Sequence, residues 1–152
     1  LLKAHAFDAV DRLESNGNSE NGGVLKGVLA QAEILGESIE ACIARASREG
    51  IGLVIEGSHL MADTVNIKSS DQIFLCVLDV PVRELLIERA LSENHSKRQL
   101  SERQLDRLLE LQEELVNRAH ESGVPVIINN TLEETIRNIT GLIAKKETAV
   151  SL

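Results

Sequence analysis

Gly50-Ile51-Gly52-Leu53-Val54-Ile55-Glu56-Gly57-Ser58-His59-Leu60 decides how the chain is read, because a helix stop, an apolar run and a polar exit follow one another within eleven residues. Gly50 ends a preceding helical pattern. Residues 52–56 then have the unbroken apolar character of a strand covered on both faces, as in parallel sheets. An acid, two small residues and an imidazole follow at its carboxyl end, the edge of an open α/β sheet where ligands bind.

Working outward, Val28, Ala32, Leu35, Ile39, Cys42, Ile43 and Ala46 recur every three or four residues and predict one amphipathic helix over residues 24–49. Ahead of it, residues 1–14 have helical spacing, and residues 15–23 read as a flexible loop with almost no side chain to bury. Downstream, residues 72–78 form a second apolar run and predict a second strand. Pro81 then opens a helix carrying Val82, Leu85, Leu86 and Ala90. A polar, basic connection over residues 92–100 leads to Ser101, whose spacing to Gln104 is that of a capping box, and to a helix running to Gly123. Val124-Pro125-Val126-Ile127-Ile128 predicts the third strand. Thr131, with Glu134 three residues on, caps a last helix to about residue 144, and residues 145–152 read as a frayed tail. Three strands separated by helices imply right-handed crossovers. The expected fold is therefore a single α/β domain over residues 1–152, a parallel three-stranded sheet with flanking helices.

Composition narrows the function. Phe7 and Phe74 are the only Phe, Tyr or Trp residues in 152, and the net charge is −8. Base stacking on aromatic platforms is thus unavailable and phosphate-backbone binding is opposed, which argues against a nucleic-acid partner. No apolar run approaches the roughly 20 residues that span a bilayer. Cys42 and Cys76 stand at apolar positions and in no CxxC pair, which reads as two buried free thiols in a reducing, cytoplasmic compartment. The basic residues are uneven, with five arginines between Arg83 and Arg107.

Several residues are candidates for chemistry. Glu56 can position a divalent cation's water shell or accept a proton from a substrate hydroxyl; equally, it can cap the next turn through backbone N–H groups. Gly57 and Ser58 let a ligand come close to the backbone. His59 can donate to an anionic group or move a proton, or it can be structural. Arg83, Arg89, Arg98, Arg103 and Arg107 lie along a helix, a basic connection and the next helix, an arrangement able to fold over a bound phosphate. Their alternative is a set of solvated pairs with neighbouring glutamates. Asn129 and Asn130 follow the third strand, where their amides can meet a nucleotide base or simply turn the chain into its next helix. No G-x-x-x-x-G-K followed by Ser or Thr occurs anywhere in the 152 residues.

The order Gln31-Ala32-Glu33, Ile39-Glu40-Ala41, Glu49-Gly50, Val54-Ile55-Glu56-Gly57-Ser58-His59-Leu60, Arg89-Ala90, Leu111-Gln112-Glu113-Glu114-Leu115 and Gly123-Val124-Pro125-Val126-Ile127 before Asn129-Asn130 resembles the 2-phosphoglycerate kinase group of P-loop kinases. The resemblance covers residues 24–139. It implies ATP-dependent phosphorylation of a small phosphorylated hydroxy acid, with Mg²⁺, in the cytoplasm. It further implies that Glu56 matches the Walker B acid and serves catalysis and metal organisation, that His59 acts with it, and that Arg89 and Arg98 belong to the lid. Gly57, Ser58, His59 and Arg103 would face the substrate, and Asn129 and Asn130 the nucleotide. Without a Walker A loop, the expectation is a P-loop kinase domain lacking its N-terminal P-loop strand, and hence weak or no activity for residues 1–152. The alternative is a non-catalytic acidic α/β module that binds a partner or itself through a bare strand edge.

Overall fold

Described in the computed structural model are residues 23–63, 72–92 and 100–150. In chain order they form helix α1 (Gly23–Glu49), strand β1 (Val77–Asp79), helix α2 (Arg83–Ala90), helix α3 (Glu102–Ser122), strand β2 (Val126–Ile128) and helix α4 (Leu132–Val150). The chain divides into two compact units, Leu1–Asn66 and Ile67–Leu152, so α1 belongs to the first and the remaining elements to the second. The helical pattern expected over residues 1–14 and all but the last residue of the loop expected over 15–23 lie outside the described residues, and that last residue, Gly23, begins α1. No described helix is long and apolar enough to cross a membrane.

Local chemistry accounts for the ends of the helices. Gly50 follows α1 with φ at 64°, its N–H donating to the Ser47 carbonyl at 3.3 Å while the Ile51 N–H reaches the Ala46 carbonyl at 3.0 Å. Gly123 repeats the device after α3, with φ at 69° and N–H bonds from Gly123 to His120 at 3.2 Å and from Val124 to Ala119 at 2.8 Å. Both are Schellman stops, which place a residue in the left-handed region where only glycine is unstrained. At the other end of α3 the capping box expected from Ser101 and Gln104 is formed. The Ser101 N–H donates to Gln104 Oε1 at 2.8 Å, and the Gln104 N–H to Ser101 Oγ at 3.4 Å. Thr131 caps α4 through the Glu134 N–H at 3.3 Å. This helix runs on to Val150, so residues 145–150, expected as a frayed tail, are helical. One reason is a long-range tie: the Lys146 ammonium donates to the Ile73 carbonyl.

The described sheet has two parallel strands, not the three expected, with Val77 opposite Val126, Leu78 opposite Ile127 and Asp79 opposite Ile128. Residues 52–56 form no ladder among the described residues. Ile51, Leu53, Val54 and Ile55 are exposed, Val54 to 94%. An apolar run announces a segment suited to pairing but carries no address for its neighbour, and a strand exists only where a second backbone supplies the ladder. The paired part of residues 72–78 is also shorter than its apolar run. Pro125 has no N–H to give, so it contributes only its carbonyl, which accepts from Val77 at 2.9 Å, and the ladder proper begins at Val126.

Around this pair the second unit builds its core. Leu111 and Ala119 of α3, Ile127 of β2 and Val80 after β1 are all buried, and α3 packs against both strands while α4 packs against β2. Gln112 fixes the α3 position further. Its amide oxygen accepts from the Val80 N–H at 3.2 Å and its NH₂ donates to the Val80 carbonyl at 3.1 Å, so one side chain pairs both backbone groups of the residue after β1. Leu111→Ala is expected to cost about 2–5 kcal/mol through lost burial and a residual cavity, whereas Ser101→Ala should cost about 1 kcal/mol. Urea unfolding of the two variants checks the order, and a larger loss for Ser101→Ala would contradict the placement of the core.

Candidate functional site

Arg89 lies in the last turn of α2, where a cation complements the helix dipole. Its guanidinium forks onto successive backbone carbonyls at the exit of β2, Nη1 donating to the Asn129 oxygen at 2.7 Å and Nη2 to the Asn130 oxygen at 2.6 Å. The planar fork suits this double acceptor, which an ammonium cannot engage in the same geometry. Asn129 is held at two further points. Its N–H donates to the Asp79 carbonyl at 2.7 Å, extending the ladder past β1, and its Oδ1 lies 3.0 Å from the hydroxyl of buried Thr135. That hydroxyl also lies 2.8 Å from the Thr131 carbonyl. The chain thus leaves the carboxyl end of the parallel pair through a rigid turn, with Asn130 exposed at its outside.

Within the first unit, a second group gathers after the extended segment. Gly57 has φ at 151°, a conformation open to glycine and strained for any other residue. The Leu60 N–H donates to the Gly57 carbonyl at 3.2 Å and closes a turn over Ser58 and His59. Half-buried His59 is anchored through Nε2, 2.7 Å from the Gln31 amide oxygen of α1. The Gln31 amide orients the imidazole, and which ring nitrogen donates depends on the tautomer. Glu56, the residue before this turn, is exposed.

Of the residues singled out from the sequence, the structure brings Arg89 together with Asn129 and Asn130, and separately sets Glu56, Gly57, Ser58 and His59 on one turn. Arg98 lies outside the described residues. Arg103 falls in the first turn of α3, and its side chain is likewise outside them. Arg107 pairs with Glu110 at 2.8 Å, the kind of neighbouring-glutamate pair weighed above, whereas Arg83 pairs with Asp106 of α3 at 2.8 Å, a partner not expected from the sequence. Three contributors were not anticipated: Gln31, Gln112 and Asp79. Asp79 carried the same signal as Glu56, an acid closing an apolar run, and it ends a strand that is paired. No group of three or more His, Cys, Asp or Glu side chains able to hold a metal ion occurs among the described residues.

The cysteines differ from their expected likeness. Cys42 is exposed on α1 and Cys76 is half-buried ahead of β1. Burial raises the Cys76 thiol pKa above its ordinary value by penalising the thiolate.

Among known proteins, the chain is 34% identical to the 2-phosphoglycerate kinase of Thermococcus kodakarensis over 129 residues, which cover 81% of this chain and 43% of that protein. It is 34% identical to the 2-phosphoglycerate kinase of Pyrococcus horikoshii over 136 residues, and 32% identical to that of Pyrococcus furiosus over 136 residues. Each of the latter matches covers 88% of this chain and 45% of the relative, so the chain spans less than half the length of these curated relatives. No family model matches the chain. No solved structure matches it either.

Arg89→Lys and Arg89→Gln are both expected to lower stability, each by about 1–2 kcal/mol, because neither replaces two charge-assisted bonds to adjacent carbonyls. Chemical denaturation checks this, and wild-type stability for Arg89→Lys would show that charge alone suffices. For the thiols, iodoacetamide should modify exposed Cys42 before half-buried Cys76, and the Cys76 rate should keep climbing above the pH at which an ordinary thiol levels off; mass spectrometry of timed samples reads both. The folded chain favours the Cys76 thiol over the thiolate. Its contribution to stability is therefore complete below the unfolded thiol pKa and is lost as pH rises through the higher folded value.

Proposed function

The chain is a homologue of the 2-phosphoglycerate kinases over the span it shares with them, and on that premise we propose that it carries machinery of an ATP-dependent phosphotransferase acting on the hydroxyl of a small phosphorylated hydroxy acid. The observation that carries the reading is the fork of Arg89 on Asn129 and Asn130 at the carboxyl end of two parallel strands. Ligands of open α/β sheets bind at that edge, and a rigid turn is what a nucleotide-facing segment requires.

Roles are assigned within each unit. In the second, Arg89 positions the Asn129–Asn130 turn toward the nucleotide end of MgATP, the phosphoryl donor, and Arg98 and Arg103 supply guanidinium groups for its phosphates or for the acceptor. In the first, Gly57 and Ser58 give the acceptor close access to backbone, His59 offers a ring nitrogen to an anionic oxygen or a proton, and Glu56 takes the acceptor's hydroxyl proton or orders the water around the cation. The described residues do not themselves form a metal cage, so the reading routes no step through the ion.

Phosphoryl transfer rests almost entirely on positioning and charge neutralisation. Residues 1–152 contain no G-x-x-x-x-G-K followed by Ser or Thr, the backbone-and-lysine cradle of the β- and γ-phosphates in this superfamily. They are therefore expected to turn over ATP weakly or not at all with 2-phosphoglycerate, while still binding 2-phosphoglycerate or ATP in a calorimeter. Absence of heat with both ligands would refute a phosphotransferase ancestry retained as function; full turnover would refute the incompleteness.

A second reading, self-association, is favoured by the exposed apolar run Ile51, Leu53, Val54 and Ile55, since exposed apolar segments recruit other chains. Light scattering should then give a mass above the monomer that Val54→Lys lowers. A concentration-independent monomer for the unsubstituted chain would remove this alternative.

A further inference from the structure

A cavity of about 370 Å³ lies between β2 and α4, entirely within the second unit. Its floor is the strand itself, Val126 to Ile128, with Leu142 adding a further apolar wall. The rim is polar and of one sign. Arg137 and Lys145 line it together with the Asn138 amide, and no acidic residue does among the described residues. The two stand eight residues apart on α4, so their backbone positions are about 12 Å apart along its axis, at 1.5 Å per residue. Neither forms an ion pair among the described residues, in a chain whose net charge is −8. The cavity shares no lining residue with the Arg89 turn.

Gly141 lines the same space from inside α4, and a Cβ built on it would meet nothing within 4 Å. A concave, mostly apolar space with a few polar groups at its rim is the usual form of a small-molecule site, and this volume is at the lower end of the ~300–1,000 Å³ such sites occupy.

We propose that the cavity between β2 and α4 binds a small organic anion, a carboxylate or phosphate monoester on a short aliphatic body, with Arg137 and Lys145 supplying the positive rim that attracts the charged group and β2 and Leu142 covering the apolar part. This goes beyond the phosphotransferase reading and does not depend on it.

The test uses ¹⁵N-labelled chain of residues 1–152, titrated separately with hexanoate, hexyl phosphate and hexylamine. Saturable amide shifts confined to residues 126–128 and 137–145 are expected for the anions, and the tighter of the two identifies the headgroup. Arg137→Gln and Lys145→Gln should each weaken anion binding by about threefold to tenfold. Gly141→Leu should abolish it while helix content by circular dichroism is kept or raised, because leucine is the better helix former. Equal shifts with hexylamine, undiminished binding by the folded Gly141→Leu chain, or no saturable shift with either anion would each overturn the proposal.

Discussion

Two adjacent carbonyls leaving β2 are held by one guanidinium, and the geometry of the second unit's exit from its strand pair follows from that contact. Without Arg89, the Asn129 and Asn130 oxygens would need water or a rearranged turn to satisfy them. With it, α2 is tied to the exit of β2 across forty residues of sequence. The same turn is gripped from the strand side by the Asp79 carbonyl and from the α4 side by Thr135. Each grip is modest alone. Together they remove the freedom of a segment that a ligand would otherwise have to order, which is how positioning lowers the cost of binding.

What was legible in the sequence is what is determined within a few residues. The stops at Gly50 and Gly123 and the caps at Ser101 and Thr131 each depend on a backbone conformation or a bond spanning at most five positions, so a local pattern suffices to predict them. The apolar runs at 52–56, 72–78 and 124–128 look alike as sequence. Only the latter two share a ladder, because pairing is decided by a partner far along the chain. Cys42 fails for a related reason: helical periodicity marks a stripe, but the face that becomes buried is set by what packs against it.

For the candidate site the division runs along the same line. Arg89, Asn129 and Asn130 stood out as residues, while their mutual contact did not. His59 stood out after Glu56, while its anchor, Gln31, lies twenty-eight residues upstream on α1. Residue type and position at the end of an apolar run carry chemistry; partner identity requires the fold. Asp79 shows the limit of selection among equal signals, since it closes an apolar run as Glu56 does and was passed over.

Charge organises the remainder. Arg83, Arg107 and Arg118 are matched to acids on α3, and the Arg83 pair, exposed on both sides, is of the kind that contributes little to stability and is weakened by salt. Arg89 differs in kind, because its acceptors are neutral carbonyls and its positive charge is not cancelled by the contact. A guanidinium that is immobilised yet still carries its full charge at the carboxyl edge of a parallel sheet keeps a favourable potential for an anion, whereas one neutralised by a carboxylate would not. In an acidic chain, that distinction separates arginines neutralised by carboxylates from one whose partners are neutral carbonyls.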